Sequence, residues 1–332
     1  MFERILIVGY GSIAERHLKI IRNLYPKADI KILRHKPHTC APEQSNGCFF
    51  DIESAVKFMP QISVITGPSS LHIEIAKNLA PTGTHFFIEK PISNSFKEAQ
   101  FFNEQVISNQ QRVFVAYNLR FFESLKLIKK MLQQKSLGKI YSFHCEVGQY
   151  LPEWRPNKDY RETVSAINKL GGGVLLELSH ELDYLSWLFG DLISGFSFVN
   201  KLSDLDIDVE DSVHLLLEFL STESHSSIIG SVKLDFIRKD KARNLEIIGS
   251  ITSLKWDALL GHVQVFDPAK KEWNLVGEFE DEMNMSYLKE WEYFINTISN
   301  ETNETNTKDA LNVLRYIDLI KKNLNLGKIK FN

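Results

Sequence analysis

The sequence predicts an α/β protein, in which a doubly wound, mostly parallel sheet is followed by an α+β domain with a large, open, mostly antiparallel sheet. In the first part of the chain, short apolar runs alternate with helical segments, as in a parallel sheet with helices on both faces. From about residue 192, apolar segments of strand length follow one another with short turns between them. We therefore predict two domains, residues 1–120 and residues 121–332.

Length, charge and composition restrict the classes of function. The 332 residues suffice for about two domains. A net charge of -3 argues against binding to nucleic acid or to an acidic membrane surface. The chain shows no leader pattern and no apolar run near the roughly 20 residues of a membrane span, and its three cysteines lack metal-site spacing. We expect a cytoplasmic protein that binds a small molecule and no metal.

A glycine-rich turn follows the first predicted strand, Arg4 to Val8, and precedes a helix. The turn has the pattern G-x-G-x-x-A, in which Gly9 allows a tight turn and Gly11 lets the backbone approach a pyrophosphate. Ala14 keeps the helix close to the strand, and the helix N-terminus offers N–H groups to an anion. The residues expected to hold a dinucleotide here are Gly9, Gly11, Ser12 and Ile13.

The end of the second strand bears on the choice of coenzyme. A site that prefers NAD usually places Asp or Glu at this point, to bind the ribose 2′-hydroxyl. Instead, Arg34, His35 and Lys36 follow the strand, and Asp29 lies at its other end. Because an arginine can pair with a 2′-phosphate, we expect Arg34 and His35 to favour NADP(H), with NAD(H) as the alternative.

Two further βα loops are predicted at the same edge of the sheet. Gly67 and Pro68 follow the strand 62–66 and open a helix whose first turn includes His72. We place Gly67, Pro68 and His72 among the cofactor-binding residues, although a lone histidine at this position is more often a surface or packing residue.

The apolar run Phe86 to Ile88 ends at Glu89-Lys90-Pro91. Read as a buried parallel strand, it delivers Lys90 to the carboxyl edge of the sheet, where ligands bind in open α/β sheets. A rigidly held ammonium there can contact a substrate hydroxyl or stabilise charge on its oxygen. The alternative is a surface lysine that ends a strand. We also count Glu89 and Lys90 among the cofactor-binding residues.

The chain changes character after Tyr117-Asn118-Leu119-Arg120-Phe121. A long irregular segment, 150–161, is rich in aromatic residues and prolines, and long distinctive loops are often functional. Three glycines, 171–173, then precede a predicted helix from Val174 to Gly190. Three polar residues of this helix are spaced three apart and are expected to share one side, namely Glu177, His180 and Asp183.

Taken together, these motifs resemble the Gfo/Idh/MocA family of NAD(P)-dependent oxidoreductases over essentially the whole chain. The resemblance implies an N-terminal Rossmann domain and a C-terminal α+β domain, whose open sheet commonly makes the interface of a homodimer or homotetramer. It also implies hydride transfer between nicotinamide and a hydroxyl or keto carbon, usually of a sugar or cyclitol. The motifs that carry it are G-x-G-x-x-A, GPSSLH, EKP, YNLRF and GGG…HELDYLSWLFG.

By the same resemblance, Lys90 orients the substrate hydroxyl and His180 is the general acid/base, a role that suits histidine near neutral pH. Asp183 would orient the histidine ring or bind substrate. Glu177 stands where many members carry Asp, the approach to His180 is one residue shorter than in many members, and Gly67 replaces the more usual Thr or Asn. Glu177 therefore reaches the substrate differently or not at all.

The loop 150–166 resembles a branch associated with surface-polysaccharide or nonulosonic-acid pathways, so we expect a polar or anionic sugar, nucleotide sugar or sialic-acid-like substrate. Further residues are candidates to contact this substrate, namely Tyr117, Asn118, Arg120, Arg155 and Arg161. For each arginine, a solvated or salt-bridged surface role is the equal alternative.

Another class of function is a catalytically silent, cofactor-binding regulatory protein on the same fold. The altered Glu177 and the shortened approach to His180 favour it, whereas the presence of both Lys90 and His180 argues against it. A reductase for a tetrapyrrole or an imine has no specific support in the sequence.

Overall fold

The first strands of the chain pair in parallel because each is an apolar run that can be buried on both faces. The structure, a computed structural model, describes residues 2–35, 40–221, 226–299, 306–322 and 329–331. The helices between these strands are α1 (Ser12–Leu24), α2 (Ile52–Lys57), α3 (His72–Leu79) and α4 (Phe96–Ser108). The strands are β1 (Arg4–Val8), β2 (Asp29–Leu33), β3 (Cys48–Phe49), β4 (Ile62–Ile65), β5 (His85–Glu89) and β6 (Val113–Ala116).

This sheet has the strand order β3-β2-β1-β4-β5-β6. Its neighbouring strands all run parallel. The chain therefore turns to opposite sides of β1, and the carboxyl ends of β1 and β4 meet at the point where the strand order reverses. In such sheets, that reversal opens the crevice in which a dinucleotide binds. The predicted doubly wound sheet is confirmed.

Aromatic residues from the C-terminal part of the chain complete the core of this first unit. Trp291 stacks on Phe87 with ring centroids 4.3 Å apart, and Phe294 packs edge-on against the same ring at 5.5 Å. The chain accordingly divides into Met1–Tyr117 with Tyr287–Leu314, and Asn118–Ser286 with Arg315–Asn332. The first boundary lies three residues from the predicted one, whereas the return of 287–314 to the first unit differs from the predicted division.

The second unit contains the large sheet, whose strand order is β14-β13-β12-β11-β7-β10-β9-β8-β15. All its neighbours pair antiparallel except β7 and β10, which run parallel. Its strands are β7 (Ile140–Gly148), β8 (Asp191–Asn200), β9 (Ser212–Leu220), β10 (Ser227–Asp235), β11 (Ala242–Gly249), β12 (Ser253–Asp257), β13 (His262–Asp267), β14 (Glu272–Glu278) and β15 (Ile329–Lys330).

The remaining helices are α5 (Glu123–Gln133), α6 (Val174–Glu177), α7 (His180–Phe189), α8 (Glu282–Ser299) and α9 (Thr307–Lys322). One face of the large sheet is buried, and Phe189 of α7 packs there against Phe143 and Phe219. The other face exposes large apolar side chains, among them Phe198, which is 62% exposed. The mostly antiparallel sheet is thus confirmed, with one covered face and one open face.

Two predictions of helical structure need comment. The predicted continuous helix from Val174 to Gly190 is wrong, because Leu178 and Ser179 separate α6 from α7. The apolar spacing runs through this break without a sequence signal.

The last two residues of the predicted helix 308–324 lie outside the described residues. Within the described ranges, no helix has the length and apolar character that crossing a bilayer would require.

Candidate active site

The turn after β1 has the geometry that the glycine pattern predicts. Gly9 adopts a φ of +87°, and a Cβ there would lie 3.2 Å from Thr66 Oγ1, so a side chain would be strained as well as crowded. Above Gly11 there is open space, since a Cβ would meet nothing within 4 Å. The helix α1 then begins at Ser12 without a side-chain hydrogen bond from its N-cap residue. Open space and uncapped N–H groups fit a pyrophosphate at this turn.

The end of β2 lies beside this turn. The guanidinium of Arg34 stands over the ring of Tyr10, with its carbon 5.2 Å from the ring centroid. Arg34 Nη1 also donates to the carbonyl oxygen of Cys40, at 3.2 Å. His35 is exposed, and Lys36 lies outside the described residues. Arg34 is therefore held near the glycine turn, where its charge is available to an anion.

His72 connects two of the predicted βα loops. Its ring is buried, with Nε2 2.8 Å from the carbonyl oxygen of Gly67 and Nδ1 3.1 Å from that of Pro91. Burial lowers the pKa of His72, while the two carbonyl groups act in the opposite direction. This is the packing role named as the alternative, and contact between His72 and a cofactor stays a prediction. A Cβ at Gly67 would meet nothing within 4 Å, so that loop is open above its glycine.

Replacing His72 with leucine is expected to lower the free energy of unfolding by about 1–3 kcal/mol, because the neutral ring carries one N–H and the buried carbonyl group that accepts it loses its donor. It should also remove a pH dependence. Since burial lowers the pKa of His72 in the folded state, the unfolded chain takes up a proton below about pH 6.5 while the folded chain does not. The wild type therefore loses stability from this group as the pH falls through that range. Urea unfolding above and below it measures both effects.

The exposed His144 on β7 provides the matched control, and His144→Leu should change stability little. Equal pH dependence of unfolding in the wild type and in His72→Leu would contradict the prediction.

Lys90 follows β5 directly, as predicted, and is half-buried. The preceding carboxylate is held from two sides: Glu89 Oε1 lies 2.8 Å from His17 Nε2, and Glu89 Oε2 accepts the backbone N–H of Lys90 at 3.2 Å. Glu89 therefore belongs to the support of the Lys90 backbone. Its predicted contact with the cofactor stays a prediction.

In the second unit, two of the three glycines are needed because other groups come too close for side chains. A Cβ on Gly172 would lie 2.3 Å from the carbonyl oxygen of Val164. A Cβ on Gly173, where φ is +104°, would lie 2.6 Å from the carboxylate of Glu210. That carboxylate accepts the N–H of Leu175 in the first turn of α6, at 3.2 Å. The glycines thus let the turn before α6 pack against its neighbours.

His180 is the first residue of α7, and it is half-buried. Two ion pairs hold the first turn of that helix. Arg243 Nε lies 2.9 Å from Glu181 Oε1, and Arg120 binds Asp183. Because the chain breaks before His180, Glu177 belongs to α6 and the expectation that Glu177 shares one side of a continuous helix with His180 is wrong.

The Arg120–Asp183 pair is bidentate. Arg120 Nε donates to Asp183 Oδ2, and Nη2 donates to Oδ1, each at 2.7 Å. The Asp183 side chain is 1% exposed and that of Arg120 is 13% exposed. Sequence analysis predicted that both residues contact the substrate. In the structure they bind each other. Since both Asp183 oxygens are engaged, this carboxylate supports α7, and a direct substrate contact by either residue stays a prediction.

The other candidate substrate residues differ in their surroundings. Asn118 is buried and its Nδ2 donates to Ser286 Oγ at 2.8 Å. Tyr117 is buried, and Arg155 is exposed. Arg161 is exposed and its Nη2 lies 2.6 Å from Asp159 Oδ2, which is the salt-bridged surface role named as its alternative.

The sequence did not predict the partners of the buried charges. Arg243 is 62 residues from Glu181, and nothing in the local pattern joins them. Two acidic residues shortly after the start of a largely apolar helix, Glu181 and Asp183, were the available signal that basic partners were needed.

Comparison with known proteins places these features in a family. The levoglucosan dehydrogenase of Pseudarthrobacter phenanthrenivorans is 31% identical over 152 residues, which are 43% of this chain and 36% of that protein. The 2,7-anhydro-N-acetylneuraminate hydratase of Mediterraneibacter gnavus is 27% identical over 132 residues, or 39% of this chain and 33% of that protein. The matched segments thus span about a third of the length of these curated relatives.

Among solved structures, the WlbA dehydrogenase of Bordetella pertussis, in complex with NADH and UDP-GlcNAcA, superposes with a TM-score of 0.82 at 20% identity and covers 99% of both chains. At that identity the likeness shows the fold alone. Residues 3–117 match the family model described as an oxidoreductase family, NAD-binding Rossmann fold, and residues 129–330 match the model of its C-terminal alpha/beta domain. The chain therefore belongs to the Gfo/Idh/MocA oxidoreductase family.

Proposed function

We propose that this protein is an NADP(H)-preferring dehydrogenase or reductase that acts at a hydroxyl or keto carbon of a sugar, a nucleotide sugar or a sialic-acid-like substrate. The observation that carries the proposal is the position of Lys90 directly after β5, at the same edge of the sheet as the open glycine turn after β1. A cationic side chain at this edge lies where α/β sheets bind their ligands.

The roles follow from the chemistry of the two side chains. A bound nicotinamide supplies the hydride acceptor or donor. The ammonium of Lys90 donates a hydrogen bond to the reacting oxygen and stabilises the charge that develops on it. His180 takes the hydroxyl proton in the oxidative direction and returns it in the reductive direction. Gly9, Gly11 and the N-terminus of α1 bind the pyrophosphate.

Arg34 supports the preference for NADP(H). Its guanidinium lies over Tyr10, beside the glycine turn, and no acidic residue is present among Arg34, His35 and Lys36. A guanidinium at this place pairs favourably with a 2′-phosphate, whereas NAD offers a neutral hydroxyl that an acid would bind better.

The substrate class rests on the relatives and on the polar candidates of the second unit. A levoglucosan dehydrogenase and a 2,7-anhydro-N-acetylneuraminate hydratase are among the curated relatives, and the WlbA complex contains UDP-GlcNAcA. The exposed Arg155 lies on an aromatic-rich loop, where its guanidinium is suited to a polar or anionic sugar. The three free thiols, Cys40, Cys48 and Cys145, are in keeping with work in the cytoplasm.

Assembly into a homodimer or homotetramer is the second part of the proposal. The open face of the large sheet exposes Phe196, Phe198, Leu216 and Ile229, each at least 44% exposed in the single chain. A contiguous apolar face of this kind is typical of an interface. Light scattering of the wild type should give a multiple of the 38.2 kDa chain mass, and Leu216→Lys should reduce it. A monomeric wild type would contradict this part.

The coenzyme proposal is tested by titrating the protein with NADPH, NADH, NADP and NAD and following its melting temperature, because a ligand that binds only the folded state stabilises it. We expect a larger shift with NADPH than with NADH, and a loss of this difference in Arg34→Ala. A clear preference for NADH would overturn the NADP assignment. Absence of any shift with all four would overturn the proposed function.

A further inference from the structure

Beneath the Lys90 turn lies a chain of buried hydrogen bonds that reaches from α8 to the end of β5. The indole N–H of Trp291 donates to Nδ1 of His17 at 2.9 Å. Nε2 of the same ring lies 2.8 Å from Glu89 Oε1, and Glu89 Oε2 accepts the backbone N–H of Lys90 at 3.2 Å. The side chains of Trp291 and His17 are fully buried. All of these residues belong to the first unit.

The chemistry of these groups sets the direction of every bond. An indole N–H can only donate, so His17 Nδ1 must accept and carries no proton. In the neutral ring the proton then resides on Nε2, which donates to the carboxylate of Glu89. The carboxylate accepts on both of its oxygens, one bond from His17 and one from Lys90. Donation therefore converges on the carboxylate of Glu89, from Trp291 through His17 on one side and from the Lys90 backbone on the other.

The surroundings of Glu89 and His17 include further titratable groups. Glu290 lies next to Trp291 in α8 and is fully buried, and its pKa is raised well above its usual value by burial and by the charge of Glu89. The charged and titratable groups around the His17 ring also include Arg16, which stands over the ring of Tyr287, 4.5 Å from its centroid.

Packing alone would not require this polar chain. The indole ring of Trp291 already stacks on Phe87, which a phenylalanine could also do, and burying polar groups has a cost unless their bonds are made. The groups are instead joined through the carboxylate of Glu89, which accepts from His17 and from the backbone N–H of one residue, Lys90.

We propose that His17 and Trp291 are positioning residues for Lys90, and that they act through the carboxylate of Glu89. They fix the position of the Lys90 backbone, and this restricts where the ammonium of the side chain can lie. Displacement of a reacting group by a fraction of an ångström lowers catalytic rates strongly. The catalytic consequence of this inference rests on the proposed function of Lys90, whereas the hydrogen-bond relay does not.

The relay is tested without any substrate by hydrogen exchange of the Lys90 backbone amide. We expect Trp291→Phe and His17→Leu to speed this exchange roughly tenfold, the factor for losing about one hydrogen bond, while amides within β5 stay protected. His17→Gln retains an N–H donor that can reach Glu89 and should restore part of the protection. The matched control is Trp256→Phe, since Trp256 is equally buried and its indole donates to Ser124 in the second unit. Unchanged Lys90 exchange in both Trp291→Phe and His17→Leu would overturn the inference.

Turnover then distinguishes positioning from a general structural role. With a sugar that the wild type oxidises, Trp291→Phe should lower kcat by about 10- to 100-fold and leave KM for sugar and coenzyme unchanged. In a Lys90→Met background the same change should cause no further loss. An equal loss in that background would overturn the positioning role. Full activity of Lys90→Met itself would overturn the proposed function. Hydrogen exchange would still show whether His17 and Trp291 hold the Lys90 backbone.

Discussion

Lys90→Met is expected to lower kcat by about 10²- to 10⁴-fold, the range expected when a group acting on the reacting oxygen is lost. Methionine has an unbranched side chain as long as the lysine stem to Cε and lacks the ammonium. The residue is half-buried at the end of β5, so the fold should tolerate the change. The measurement is steady-state turnover with a panel that contains levoglucosan, UDP-GlcNAcA and 2,7-anhydro-N-acetylneuraminate.

His180→Ala should reduce kcat by a similar factor, because the hydroxyl proton loses its acceptor. Groups that act in one step are not additive, so the double variant should lose less than the product of the two single losses. Lys97→Met on α4 and His144→Ala on β7 are exposed matched controls and should retain activity. If Lys90→Met and His180→Ala both turned over normally, the catalytic assignment would be wrong.

Arg120→Ala is expected to have the largest effect on stability, about 3–5 kcal/mol of unfolding free energy. The change removes the partner of a carboxylate that is 1% exposed, and an unpaired buried charge is costly. Replacing both residues, as Arg120→Met with Asp183→Leu, should recover much of the loss, because a buried pair is often little better than apolar side chains of similar volume. Urea unfolding measures all three proteins.

The control for Arg120 is Arg161→Ala, in which an exposed ion pair with Asp159 is removed. Its unfolding curve should match that of the wild type, since exposed pairs contribute little. A wild-type curve for Arg120→Ala would show that the Arg120–Asp183 pair does not stabilise the start of α7.

Local sequence was sufficient for the parts of the fold that depend on neighbouring residues. The glycine turn and the position of Lys90 after a buried strand follow from short apolar runs and from the turn chemistry of glycine and proline. The succession of strand-length apolar segments from about residue 192 likewise predicted a large, mostly antiparallel sheet. In each case the residues that decide the structure are adjacent in the chain.

Pairing between distant side chains was not predictable in this way. His17 and Trp291 are 274 residues apart, and Arg120 and Asp183 are 63 apart. The break at Leu178 and Ser179 was missed because apolar spacing continues through it. His180 is placed at the start of a helix by the packing of the glycine turn and by the two ion pairs of α7. These contacts join residues that are far apart in the chain, so no local pattern reveals them.

The most direct test of the central claim is the conversion of NADP and a sugar from the panel, followed both by nicotinamide absorbance and by mass spectrometry of the sugar. We predict that the wild type reduces NADP and yields the oxidised sugar for at least one member, and that Lys90→Met, folded and still able to bind NADPH, does so far more slowly. Binding of NADPH together with equal conversion by the wild type and Lys90→Met would contradict the account.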